Sequence, residues 1–158
     1  MEYEYSLTVK SIDDYIDFCE KNNYKLIKKV KQTRIIYRNS DNKTNGRITI
    51  EEDNGNTKMI LDFKEDNLSS GDLHIRKESA PISFDSLSNA EDILAFLGYK
   101  KDNSLIRERK IYKKNKVTFE IDIYEHPAKS YVVAVEGDKK QVDKVYEQLS
   151  DINNRNSI

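Results

Sequence analysis

The feature that most constrains this chain is a two-residue alternation whose polar positions are charged rather than merely hydrophilic. It is cleanest from Lys116 to Tyr124, where Val117, Phe119, Ile121 and Ile123 share one parity and Thr118, Glu120, Asp122 and Tyr124 the other. Successive side chains of a strand point to opposite faces, so the segment has one apolar and one charged face. The opening residues repeat the pattern: Tyr3, Tyr5, Leu7 and Val9 alternate with Glu2, Glu4, Ser6 and Thr8. Two carboxylates therefore project side by side. On one strand alone this describes an antiparallel sheet with a face in water; recurring along the chain, it asks where so many charged faces go.

Taken in order, Ser11 with Asp14 reads as a capping-box variant for a helix over about Ile12–Lys21, whose buried stripe includes Cys19. A strand from about Tyr24 to Arg38 follows, with Arg34 and Arg38 on the parity of Gln32, and 39–45 is a turn-rich loop. Arg47, Thr49 and Glu51 alternate with Ile48 and Ile50; after a turn near Asn54-Gly55, Met59, Leu61 and Phe63 alternate with Asp62 and Lys64. Asp72–Glu78 is a strand in which His74, Arg76 and Glu78 oppose Leu73 and Ile75, and Pro81 to Ser88 is a connection. Ser88 to Glu91 reads as a second capping box, for a helix that Gly98 closes. Leu105–Ile111, Lys116–Tyr124 and Ser130–Glu136 are strands, Asn115 marks a hairpin turn, and Asp138–Leu149 is a helix with Val142, Val145, Tyr146 and Leu149 on one side.

Nothing Pro- or Gly-rich divides the 158 residues, so residues 1–150 read as a single domain and 151–158 as a polar, frayed tail. The formal net charge is −1 with 35% charged residues, so no global field attracts nucleic acid or an anionic membrane. Strong electrostatics must be local. Cys19, the one cysteine, excludes an internal disulfide framework and a cysteine-built zinc site and suits a reducing cytosol. No window approaches the roughly 20 apolar residues of a membrane span and no signal-like segment opens the chain, so a cytoplasmic location is expected.

About eight strands and three helices result from this reading. If the amphipathic helices cover the apolar faces, the charged faces must turn inward, and closing the sheet removes its edges. The expected fold is α+β: a closed antiparallel β-barrel tunnel of about eight strands with helices packed outside. Its lumen would set Arg34, Arg38, Arg47, Lys64, Arg76, Arg107 and Arg109 against Glu2, Glu4, Glu51, Asp62, Glu78, Glu120, Asp122 and Glu136. Converging guanidinium groups suit a polyanion, because their forked donors match phosphate oxygens in pairs. Carboxylates at i and i+2 suit a hard divalent cation bridging to substrate phosphates, which is what Glu2, Glu4 and Glu136 offer. The two together predict a metal-bound polyphosphate. The sequence contains no Walker-type loop, no HExxH and no Gly-x-Ser-x-Gly elbow, and His74 and His126 stand far apart.

The opening Glu-x-Glu strand, the strand ending at Lys64, Arg76-x-Glu78, the segment LIRERKIYKKNKVTFEIDIYE and the final Val135-Glu136-Gly137 together resemble the CYTH domain. These are the triphosphate tunnel metalloenzymes, which include class IV adenylate cyclases, thiamine triphosphatases and tripolyphosphatases. The resemblance runs over nearly the whole chain. It implies Glu2, Glu4, Asp122 and Glu136 around Mg²⁺ or Mn²⁺, with Arg47, Lys64, Arg76, Arg107 and Arg109 on the substrate, and Arg34, inward-facing by parity, joins the substrate-binding set. Glu4, Lys64 and Arg109 would be the catalytic residues. Two positions depart from the family pattern: Ser6 stands where it has a lysine, and Ala134 where it commonly has a glutamate.

The function expected is divalent-metal-dependent hydrolysis of tripolyphosphate or an organic triphosphate. The alternatives are a non-catalytic polyphosphate- or nucleotide-binding module, motivated by Ser6 and Ala134, and a class IV-like adenylate cyclase. The partner expected is a small-molecule polyphosphate, with neither nucleic acid nor membrane, and a homodimer is left open.

Overall fold

A computed structural model describes residues 1–41, 43–66 and 71–158. Among these, nine strands and four helices follow in the order β1 (Glu2–Val9), α1 (Asp13–Lys21), β2 (Lys25–Asn39), β3 (Thr44–Asp53), β4 (Asn56–Glu65), β5 (Leu73–Arg76), β6 (Ile82–Phe84), α2 (Leu87–Phe96), β7 (Lys100–Lys114), β8 (Val117–His126), β9 (Ser130–Gly137), α3 (Lys139–Gln148) and α4 (Ser150–Asn156). The strands form one antiparallel sheet in the order β5-β1-β9-β8-β7-β2-β3-β4-β6.

The apolar parities pack outward under the helices. Tyr15 and Cys19 of α1 and Val142 and Val145 of α3 meet Phe119 and Ile121 of β8 and Val133 and Val135 of β9 in the larger core. Ala90 and Leu94 of α2 cover Tyr37, Ile48 and Leu61 in a second. Burying such a side chain is worth about 1.5–3 kcal/mol, which sets which face of each strand turns outward. A one-residue slip would expose the whole apolar row, so burial also holds the register. The Tyr3 and Tyr5 hydroxyls donate to Asp143 at 2.5 and 3.0 Å and Tyr5 stacks on Tyr146, which fixes α3 against β1.

Turn chemistry sets the hairpins. Asn54 and Gly55 join β3 to β4 with φ of 48° and 82°, the left-handed pair of a type I′ turn. At the end of β9, Gly137 has φ 136°, and a Cβ there would lie 1.9 Å from the Lys116 carbonyl oxygen. Only glycine fits.

Several expectations are corrected. The sheet does not close as a continuous ladder: its hydrogen-bonded order is open, with β5 and β6 at the edges. It curls strongly nonetheless, since Lys64 of β4 and Glu2 of β1, six places apart in that order, lie 2.6 Å from each other. The seam is spanned by one bent segment, whose residues 73–76 pair with β1 while Glu78 bridges Lys64 and the Ser79 amide donates to the Phe63 carbonyl at 2.9 Å. Nine strands replace about eight because Ile82–Phe84, read as connection, pairs with β4.

The expected tail is the helix α4, with Asn156 buried and donating to Asp14 at 3.0 Å. Its polar side chains carried no apolar stripe to announce it. The second helix is capped by Ser86, whose hydroxyl accepts from the Asn89 amide, not by Ser88. The first helix has no side-chain cap, and Ser11 accepts only from the Asp13 amide at 3.3 Å. Of the loop expected over 39–45, Asn42 lies outside the described residues. No helix of the described residues is long and apolar enough to cross a membrane.

Candidate active site

The charged parities converge on a cavity of about 330 Å³ inside the curl, the lower end of the range for small-molecule sites. Its walls carry six carboxylates, Glu2, Glu4, Glu78, Glu120, Asp122 and Glu136, and six cations, Arg34, Arg47, Lys64, Arg76, Arg107 and Arg109.

Their layering follows from register. Ser6 faces Ala134, Glu120 faces Ala134 from the other side, Asp122 faces Arg109, Arg107 faces Gln32, and Arg34 faces Thr49. Starting at Glu4 and moving one inward position beyond each neighbour's ladder partner gives Ala134, Asp122, Arg107, Arg34, Arg47, Lys64 and then Arg76. The constant stagger is that of tilted strands around a curled sheet. Arg76 faces Glu2, and one further position returns to Glu4. Five cations thus sit in one band, with Glu2, Glu136 and Glu120 in the band beside it.

Most of the cations are already matched. Arg47 holds Asp62 through two bonds of 2.8 and 2.6 Å and reaches Glu78 at 2.6 Å. Arg109 holds Asp122 through two bonds of 2.8 Å and Glu120 at 2.5 Å. Burial works against charge on both, but the paired carboxylates outweigh it and raise both pKa values. Lys64 sits 2.6 Å from Glu2 and 3.9 Å from Glu78. Arg76 and His74 approach Glu4 at 3.8 and 3.7 Å, and burial and Arg76 together push the His74 pKa down.

Two guanidiniums differ. Arg107 donates to Gln32 and Tyr124 at 2.9 and 2.8 Å and stands 3.7 Å from Asp122, while its Nη2 is buried without a hydrogen-bond partner. Arg34 donates from Nε to Thr49 at 3.0 Å and has no carboxylate partner among the described residues. Burial and then Arg107, Arg47 and Arg109 push its pKa well down. A guanidinium does not surrender its proton in a protein, so the strain is an unmet demand for an anion.

The complementary demand lies where Glu4 meets the acidic band. Glu2, Glu4 and Glu136 each offer an oxygen, all within 4.8 Å of one another. The Glu2 oxygen nearest Lys64 is out of line for a hydrogen bond and keeps its acceptor capacity. Burial raises the pKa of Glu4, and burial with Glu120, Glu2 and Glu4 pushes Glu136 up to about 8. Three crowded carboxylate oxygens suit an oxygen-seeking divalent cation such as Mg²⁺ or Mn²⁺. Asp122 is not in this trio; its two oxygens are engaged by Arg109.

All the residues expected to hold metal or substrate line the one cavity. From the wider set of charged positions, Arg38 is exposed and pairs with Asp66, and Glu51 pairs with Lys28 and Gln32 away from the cavity. Glu78 and Glu120, given no role from sequence, hold Arg47 and Arg109. Parity placed them on the inner face; the β7–β8 register sets Glu120 beside Arg109, and only the curl of the sheet brings Glu78 to Arg47.

No family model and no curated protein matches the sequence. Solved structures do. A candidate adenylyl cyclase of Hippeastrum, HpAC1, described as having a dominant triphosphatase activity, superposes with a TM-score of 0.70 at 14% identity, covering 98% of this chain and 87% of that one. A candidate adenylate cyclase of Vibrio parahaemolyticus gives 0.63 at 12%, covering 99% and 89%. A chain of the Schizosaccharomyces pombe Mediator head module gives 0.62 at 13%, covering 100% and 99%. This chain has the fold those proteins share.

Proposed function

We propose that this protein binds a triphosphate-containing compound in the cavity and hydrolyses it with a divalent cation held by Glu2, Glu4 and Glu136. One observation carries the reading: Arg34, which has no carboxylate partner among the described residues, and a half-satisfied Arg107 line the same cavity as three crowded carboxylates. An anion alone would answer the first demand and a cation alone the second. A metal-bound polyphosphate answers both. The resemblance to triphosphate tunnel metalloenzymes and the fold shared with HpAC1 support the same class.

Bound there, Mg²⁺ or Mn²⁺ would neutralise phosphate charge and lower the pKa of a water. The chain's own groups do the rest. Arg34 and Arg107 orient the phosphate oxygens with donors that no carboxylate occupies. Arg47 and Arg109, each matched by two acids, are rigid walls more than free charges. Lys64 would serve the substrate and Glu2 the metal, the two side chains lying 2.6 Å apart in the protein.

The second reading, a binder without turnover, is favoured by Ser6 and Ala134. They face each other across the β1–β9 ladder, so the lysine and glutamate of the family pattern are missing as a cross-strand pair, with no orphaned charge left behind. The fold also occurs in a chain of the Mediator head module. Phosphate release from tripolyphosphate, thiamine triphosphate and ATP with Mg²⁺ or Mn²⁺ separates the two. Hydrolysis abolished by Glu4→Gln is expected. Metal-dependent thermal stabilisation by tripolyphosphate without phosphate release would establish the binder, and neither signal would refute both.

A further inference from the structure

Four guanidiniums of the cavity are anchored in one way. Each stands across a ladder from a polar side chain and donates its Nε to it: Arg109 to Asp122 and Arg47 to Asp62, both at 2.8 Å, Arg107 to Gln32 at 2.9 Å and Arg34 to Thr49 at 3.0 Å. The anchors differ in charge and in number of acceptor atoms. A carboxylate offers two oxygens, so Asp122 and Asp62 each take a second donor, Nη2, from the same guanidinium. The Gln32 carbonyl and the Thr49 hydroxyl are uncharged and offer one oxygen each. They fix the direction of the arginine while leaving its outer edge open and its charge uncancelled.

Neither neutral anchor is a solvated residue of an exposed sheet face, since Gln32 is 5% and Thr49 1% exposed. An acid at either position would pair its arginine as Asp62 and Asp122 pair theirs. A cation held inside a protein without such a partner costs stability, and a local cost of that kind is characteristic of a functional site. Gln32 is itself held in place. Its Nε2 donates to Glu51 at 2.9 Å, and Glu51 pairs with the half-buried Lys28. Burial works against charge on Glu51, but the bonds from Lys28 and Gln32 outweigh it and hold its pKa down. An ionised carboxylate only accepts and a guanidinium only donates, so the amide between them has one orientation, with its NH₂ toward Glu51 and its carbonyl toward Arg107. The negative charge is thereby kept one side chain away from Arg107, whose Nη2 stays without a hydrogen-bond partner.

We propose that Gln32 and Thr49 are positioning residues, neutral anchors that aim Arg107 and Arg34 at a phosphate chain without neutralising them, and that Glu51 sets the orientation of Gln32. This rests on the proposed triphosphate site and adds what keeps two of its arginines available while Arg47 and Arg109 are engaged by acids.

The test exchanges the two functional groups in the double variant Gln32→Glu, Glu51→Gln. Net charge is conserved, and the carboxylate now at position 32 still accepts from Arg107 and from the amide at position 51, but the negative charge has moved against the guanidinium. Calorimetry with tripolyphosphate in Mg²⁺ is expected to show binding at least about 10-fold weaker, with the Tm of the ligand-free protein within about 3 °C of wild type. Thr49→Asp is expected to weaken binding about 10-fold in the same way, and Thr49→Ser, which keeps the hydroxyl, to hold it within about twofold. An anchor that is only structural predicts unchanged affinity in the exchange, because each hydrogen bond from Arg107 and between positions 32 and 51 is retained; that result, with wild type binding, overturns the positioning role and leaves the triphosphate site standing. Failure of wild type to bind tripolyphosphate removes both. Should the variants not fold, arginine side-chain NMR of wild type titrated with tripolyphosphate in Mg²⁺ answers. Shifts at the Nη groups of Arg34 and Arg107 with their Nε signals unmoved support the anchors; shifts confined to Arg47 and Arg109, or release of the Nε bonds of Arg34 and Arg107 on binding, overturn them.

Discussion

Arg34→Met is expected to stabilise the ligand-free protein and to destroy its affinity for tripolyphosphate. The guanidinium is partly buried, donates to Thr49 alone among the described residues, and has Arg107, Arg47 and Arg109 acting against its charge with Asp62 acting for it. Replacing a poorly compensated internal charge by an apolar side chain of similar length stabilises proteins by up to about 1–4 kcal/mol. The residue keeps some access to cavity water, which places the gain near 1 kcal/mol, a rise of about 2–4 °C in Tm for a chain of this size. On the ligand side, two charge-assisted hydrogen bonds of about 1.5 kcal/mol each are lost, roughly a 100-fold weaker Kd. Thermal unfolding and calorimetry with tripolyphosphate, both with Mg²⁺, read the two effects. A lower Tm together with unchanged affinity would mean that Arg34 is a structural cation, and the unmet demand for an anion would be refuted.

Metal-free protein is expected to lose stability as pH rises. The Glu136 carboxyl is held above its ordinary value, at about 8, so the folded state keeps a proton that the unfolded state releases near 4.5. Stability therefore declines between those two values, by about 2–3 kcal/mol once coupling within the trio is allowed for; Glu136→Gln should flatten the slope, and Mn²⁺ should restore wild type at pH 8. A slope unchanged in Glu136→Gln would contradict the crowding. Gly137→Ala should cost about 2–4 kcal/mol, measured by urea unfolding, because its Cβ would meet the Lys116 carbonyl oxygen at 1.9 Å. Cys19, fully buried with its thiol pushed up to about 12 by burial, should resist thiol reagents in the folded protein and react at once in denaturant. Phe119→Ala, at the centre of the larger core, should lower stability by about 3–5 kcal/mol.

The division of each strand into two faces was legible in the sequence, because alternation is a local property and burial enforces it. Glu2 with Glu4, Arg107 with Arg109, and Glu120 with Asp122 had to share an inner face once Phe119, Ile121, Tyr3 and Tyr5 had to share an outer one. Three of the four helices were legible by the same logic, from apolar stripes at Ile12–Cys19 and Val142–Leu149 and from Ile93, Leu94 and Leu97 ahead of Gly98, although of these last three only Leu94 is buried. The polar α4 had no stripe and was missed. Ile82–Phe84 is a strand of three residues beside a proline, too short to show a period.

What tertiary structure alone decided is who meets whom. Alternation says that Arg34 and Arg109 face inward, and the hairpin turn at Asn115 sets Arg109 opposite Asp122; neither says that Glu78 reaches Arg47 while no carboxylate among the described residues reaches Arg34. Those pairings depend on the stagger between strands and on how far the sheet curls, which are sums of small twists and registers over the whole ladder. The same stagger sets the cation band beside the acidic one and Ser6 opposite Ala134. A period of two fixes the side of the sheet on which a residue stands; its height in the cavity is set by every strand between it and its partner.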